Sequence, residues 1–103
     1  MTTWITVCDK NDIEPEDVYR FDHDGRTFAI YRSASDEYFA TDGLCTHEEV
    51  HLAGGLVMDY EIECPKHNAI FDYRTGEAKR APACVNLACY LVRLDGNQVQ
   101  IAL

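Results

Sequence analysis

The sequence predicts an antiparallel all-β domain. Short runs of β-branched and aromatic residues alternate with turn signals along the whole chain. No stretch carries helical periodicity. At 103 residues the chain has the length of one domain, residues 1–103. A domain of this size buries roughly 60–70% of its unfolded surface. A hydrophobic fraction of 47% is enough to build that core.

Taken in order, Trp4 to Cys8 reads as the first strand. Lys10 to Asp17 is acidic, contains Pro15 and reads as a polar loop. Val18 to Asp22 and Thr27 to Arg32 flank Asp24-Gly25, a strong hairpin signal. Glu37 to Thr41 is the next strand and leads into Gly43. Gly54-Gly55 permits a tight reversal, and Tyr60 to Cys64 alternates as a strand. Ala69 to Tyr73 and Glu77 to Arg80 pair across Thr75-Gly76. Cys89 to Leu94 and Gln98 to Leu103 pair across Asp95-Gly96-Asn97.

Formal charge is −9 and uneven. Residues 1–63 carry 15 acids against 4 bases, and residues 64–103 carry 3 against 5. Such acidity argues against nucleic acid, which selects basic surfaces. It suits either plain solvation or docking on basic protein surfaces. No apolar run approaches the ~18 residues of a membrane-spanning helix. The first residues, Met1-Thr2-Thr3-Trp4, lack the basic and apolar regions of a secretory signal. The expectation is a cytoplasmic protein with no membrane contact.

Chemistry concentrates between residues 45 and 67. Cys45-Thr46-His47 and Cys64-Pro65-Lys66-His67 each offer one thiolate and one imidazole. Two such loop tips facing each other surround one site with two sulfurs and two nitrogens. Zinc takes that set tetrahedrally. A [2Fe–2S] cluster takes two Cys on one iron and two His on the other. Zinc fingers keep the Cys pair and the His pair in separate halves. Here each half is mixed, which favours the two-iron reading. Cys8, Cys84 and Cys89 remain, and read as reduced, buried small hydrophobes.

The motif set resembles the Rieske signature. Cys45-Thr46-His47, Leu52-x-x-Gly55, Cys64-Pro65-x-His67, Phe71-Asp72 and Thr75-Gly76 carry the resemblance, over about a third of the chain. The chain is most similar to the small Rieske ferredoxins of bacterial aromatic-ring-hydroxylating oxygenases. That family usually places Gly after each ligand His, where this chain has Glu48 and Asn68. Asn accepts φ > 0 more readily than Glu.

The resemblance implies a Rieske-like β-sandwich or barrel with a small inserted cluster-binding subdomain, about residues 44–82. It implies one [2Fe–2S] cluster held by Cys45, His47, Cys64 and His67, with the Cys iron buried and the His edge near the surface. It implies a single-electron carrier rather than an enzyme, and a monomer is the default expectation for a shuttle that must leave each partner quickly. Electrons would come from a flavoprotein NAD(P)H reductase and pass to a terminal Rieske non-haem iron oxygenase that hydroxylates aromatics. A zinc-stabilised Cys2His2 interaction module is the alternative, as is a Rieske carrier serving a different redox enzyme. An oxygenase in its own right needs a second metal site, and only His23 and His51 are left to build one.

High-potential Rieske proteins carry a disulfide between the ligand loops, at the positions of Val50 and Lys66 here. They also place Ser and Tyr hydroxyls near the cluster sulfurs, where this chain has Ala69 and Phe71. Missing donors leave added negative charge less stabilised. The expected potential is therefore at the low end, roughly −150 mV. Glu48 and Glu49 read either as docking contacts or as a solvated loop tip. His51 and His23 read as surface histidines, and Leu52 as core. Lys66 has no assigned role beyond offsetting nearby acid charge. Pro82 matches a proline segment that covers the cluster in the family.

Overall fold

The computed structural model describes residues 2–66 and 68–103. Met1 and His67 lie outside the described residues. Among the described residues, eleven strands form three antiparallel sheets. They are β1 (Trp4–Asp9), β2 (Asp17–His23), β3 (Arg26–Arg32), β4 (Tyr38–Asp42), β5 (Leu56–Met58), β6 (Glu61–Glu63), β7 (Ile70–Asp72), β8 (Ala78–Arg80), β9 (Cys89–Tyr90), β10 (Val92–Asp95) and β11 (Gln98–Ala102). The sheet orders are β1-β11-β10, β2-β3-β4-β9 and β5-β6-β7-β8.

Strand β3 is the partition of the molecule. Phe28, Ala29, Ile30 and Tyr31 are all fully buried. A strand covered on both faces reads as a continuous apolar run. Phe28 and Ile30 join one core with Ile13, Ala40, Val99 and Ile101. Ala29 and Tyr31 face the other core, with Ile62, Phe71 and Tyr73. The four-stranded sheet containing β3 therefore lies between the terminal sheet and the β5–β8 sheet. Stacked rings of Tyr31 and Tyr73, 4.5 Å apart and 5° from parallel, tie the last two together.

The hairpin between β2 and β3 forms where the sequence places it. Asp24 and Gly25 have φ of +50° and +75°, the two left-handed positions a type I′ turn requires. Three features differ from the sequence reading. The acidic loop opens with a 3-10 turn, Lys10–Asp12, whose first amides are capped by Asp9. Leu56–Met58 forms an edge strand beside β6. The run from Cys89 to Leu94 is two strands, not one: Cys89 and Tyr90 pair with β4, and Val92 onward pairs with β11. The chain changes sheets at Leu91.

Candidate metal centre

Both loops that carry the expected ligands close at the neck by the same bond. The Cys45 N–H donates to the Val50 carbonyl at 2.9 Å, and the Cys64 N–H to the Ala69 carbonyl at 2.7 Å. Each joins residue i to i + 5. The first loop is clamped further by the Leu44–His51 bridge and by the Leu52 N–H on the Gly43 carbonyl, 2.8 Å. Leu52, the first residue past this neck, is fully buried, as expected of a core residue. The second loop hangs between β6 and β7, the central strands of its sheet. The two loops approach because residue 55 is Gly. A Cβ there would stand 2.0 Å from the Glu63 carbonyl oxygen, one residue before Cys64.

Cys45, His47 and Cys64 come together, their ligand atoms all within 4.8 Å of one another. Cys45 Sγ lies 2.9 Å from His47 Nδ1. Both cysteines are buried, at 4% and 2% exposure, and pack in one core with Ala69 and Phe71. His47 is half-buried, and Leu44, Thr46 and Glu49 around it are exposed. The sulfurs are thus buried, and the half-buried imidazole has its Nε2 shielded from water. The fourth expected ligand, His67, is outside the described residues.

Burial pushes the Cys64 thiol up to about 11. The Lys66 backbone N–H acts against that rise; the neighbouring Cys45 and the Glu48 charge add to it. A thiolate here needs a compensating cation, and a coordinated thiol is deprotonated outright. Two buried sulfurs beside an imidazole are therefore a donor set suited to a soft or borderline metal. Thiolate and imidazole alone would also suit zinc.

A match to the Rieske [2Fe-2S] domain family covers residues 3–91. The chain belongs to that family. Its cofactor is one [2Fe–2S] cluster. The Rieske chain is 37% identical over 100 residues to the naphthalene 1,2-dioxygenase system ferredoxin component of Pseudomonas aeruginosa, covering 97% of this chain and 95% of that one. It superposes with a TM-score of 0.91 on the ferredoxin of carbazole 1,9a-dioxygenase from Nocardioides aromaticivorans, at 32% identity and 96% of each chain. A complex of reduced oxygenase and oxidized ferredoxin in carbazole 1,9a-dioxygenase contains a similar chain, with TM-score 0.90, 31% identity, and 96% and 92% covered.

Around the Rieske site, Asn68 adopts φ +56°, while Glu48 is not among the left-handed residues. The loop after His47 therefore turns without the conformation that Gly would allow. The Glu48 carbonyl accepts from the Val50 N–H at 2.8 Å, closing a three-residue turn. Its side chain is half-buried, with Oε2 shielded from water and hydrogen-bonded to nothing among the described residues. Only Glu49 matches a solvated loop tip. The segment after Pro82 covers the site from the side. Ala83 and Leu87 sit in the cysteine core, and the Thr46 hydroxyl donates to the Val85 carbonyl at 2.6 Å. Pro82 itself is exposed.

Three sequence expectations change. Cys84 and Cys89 are exposed rather than buried, and Cys8 is half-buried. His51 is a clamp on the ligand loop, not a spare surface residue. His23 is half-buried, stacked on Phe21 at 5.9 Å. Sequence reasoning also missed exposed Leu44 and Val85, at 40% and 58%, which flank the first ligand loop. Their positions beside Cys45 and after Pro82 were the available signal.

Proposed function

We propose that this protein is a monomeric, cytoplasmic ferredoxin that carries single electrons from a flavoprotein NAD(P)H reductase to a terminal Rieske oxygenase acting on aromatic compounds. The observation that carries the reading is the meeting of Cys45, His47 and Cys64 at the tips of two facing loops, their ligand atoms within 4.8 Å of one another. Likeness to ferredoxin components over nearly the full length of both chains supports it. No helix among the described residues is long and apolar enough to cross a membrane.

In this reading Cys45, His47, Cys64 and His67 hold the cluster, and residues of about 44–82 serve as its binding subdomain. The separate β5–β8 sheet supports that division. The cluster supplies a one-electron couple. The chain's own groups set its environment. Cys45 and Cys64 keep one side dry, and the Lys66 N–H stabilises negative charge on Cys64 Sγ. The Glu48 carboxylate works against added negative charge. The exposed Leu44 and Val85, which flank the loop bearing His47, form the face a partner would meet. The direct test is reconstitution: turnover by reductase and terminal oxygenase should require this protein. Turnover that is equal without it would overturn the reading.

Two further results are expected. Ala69 and Phe71 are fully buried beside the cysteines. Ala69→Ser or Phe71→Tyr should raise the midpoint potential by roughly 20–65 mV, the one-electron equivalent of about 0.5–1.5 kcal/mol per net hydrogen bond. Voltammetry on protein with an intact visible spectrum checks this. Failure of both variants to shift would place neither hydroxyl at a sulfur.

The second concerns docking. Reduction by the reductase should slow as ionic strength rises, because screening at a Debye length of about 8 Å weakens approach of opposite charges. Glu49→Gln should flatten that dependence. Stopped-flow rates that ignore salt in the parent would rule out electrostatic steering.

A further inference from the structure

His51 sits at the foot of the first ligand loop, and its ring makes a bond at each nitrogen. Nδ1 accepts from the Ala53 N–H at 2.9 Å, capping the 3-10 turn Leu52–Gly54. Nε2 lies 2.9 Å from Thr27 Oγ1 on β3. The Thr27 hydroxyl donates to Asp22 Oδ1 on β2, and Asp22 also accepts from Arg20 Nε at 3.1 Å.

The direction of this chain of bonds follows from its ends. A backbone N–H only donates, so Nδ1 carries no proton. An ionised carboxylate only accepts, so the Thr27 hydrogen points to Asp22. The Thr27 oxygen is then left to accept, and Nε2 must be the protonated nitrogen. One tautomer of neutral imidazole satisfies every member, and imidazolium satisfies none at Nδ1. The ring fits here because residue 43 is Gly: a Cβ there would stand 2.5 Å from Nε2. Backbone bonds hold the same crossing: the Gly43 N–H donates to the Thr27 carbonyl at 3.0 Å.

We propose that His51 is a positioning residue for the loop bearing Cys45 and His47, anchoring it to the β2–β3 hairpin through Thr27 and Asp22 only while the imidazole is neutral. The proposal rests on the assignment of Cys45 and His47 as cluster ligands. Desolvation holds the His51 ring below the ordinary imidazole value, and the Arg20 charge adds to this; Asp22 and a hydrogen bond with the Phe28 backbone oppose it. Arg20 and Asp22 of β2 are the charged groups that reach the ring. The unfolded chain therefore binds this proton more readily than the folded one. The anchor contributes stability above the ordinary imidazole value, and that contribution is lost as pH falls through the lower folded value.

Amide exchange at Ala53 in the cluster-loaded protein tests this, with the electron spin resonance of the reduced protein as a second readout. At neutral pH, Thr27→Val should speed Ala53 exchange roughly fivefold, the equivalent of a lost cap of about 1 kcal/mol, and broaden the spin signal. In the parent, the same loss of protection should appear on acidification, after correction for intrinsic exchange. His51→Ser can still cap Ala53 but has no proton to gain, so its protection should show no such step. Unchanged Ala53 exchange in Thr27→Val, or the same acid step in His51→Ser, overturns the proposal. Absence of any cluster signal in the parent would instead sink the ligand assignment, which Ala53 exchange does not depend on.

Discussion

Replacing Cys64 by Ala is expected to yield protein without iron, colour or a reduced spin signal. The effect should be all-or-none, because the site has few donors and each loop contributes only one sulfur. His47→Ala should likewise abolish the rhombic spin signal of the reduced centre, and so should His67→Ala. A control separates ligation from folding. Cys84→Ala and Cys89→Ala remove exposed thiols outside the site, and both should keep full iron and sulfide. Retention of the native spectrum in Cys64→Ala would remove that residue from the ligand set. The far-ultraviolet spectrum of each variant shows that the sheets survive.

The largest stability loss is expected at Tyr73. Its ring is fully buried against Tyr31 at 4.5 Å, with Phe39 at 5.6 Å and Tyr60 at 6.0 Å. Its hydroxyl donates to the Asp59 carbonyl at 2.8 Å. The residue joins the β5–β8 sheet to the sheet containing β3, so truncation opens a void between them. Tyr73→Ala should cost about 3–5 kcal/mol, a large share of the roughly 5–15 kcal/mol typical of a whole domain. Tyr73→Phe keeps the ring and loses one hydrogen bond, which should cost about 1 kcal/mol. Denaturant unfolding of the cluster-loaded protein measures both. A Tyr73→Ala loss no larger than that of Tyr73→Phe would show that the stacked pair is not what holds the sheets together.

Most of the strand order was legible because the turns carry strong chemistry. Asp24-Gly25 and Asp95-Gly96 mark hairpins by residue type alone. Thr27 to Arg32 reads as a strand, though its burial on both faces emerges only from the packing. The ligand loops were legible through the spacing of Cys and His. What escaped depends on tertiary partners. Leu56–Met58 is three residues long and has no polar alternation to betray an edge strand. Cys89 to Leu94 reads as one run because nothing local says that its halves pair with different sheets. Neither 3-10 turn was read: the one capped by Asp9 lies in a segment read as a polar loop, and His51 is not among the preferred N-caps. Exposure of Cys84 and Cys89 was missed for a different reason. Cysteine is usually buried, but the segment from Pro82 to Cys89 runs along the outside of the cysteine core and buries only Ala83 and Leu87.

The central claim is that two buried sulfurs and two imidazoles hold a two-iron cluster rather than zinc. Metal and sulfide analysis of protein produced with adequate iron and purified without oxygen tests it most directly. The expected result is two irons and two labile sulfides per chain, in coloured protein. One zinc per chain with neither iron nor sulfide, in colourless protein, would contradict it.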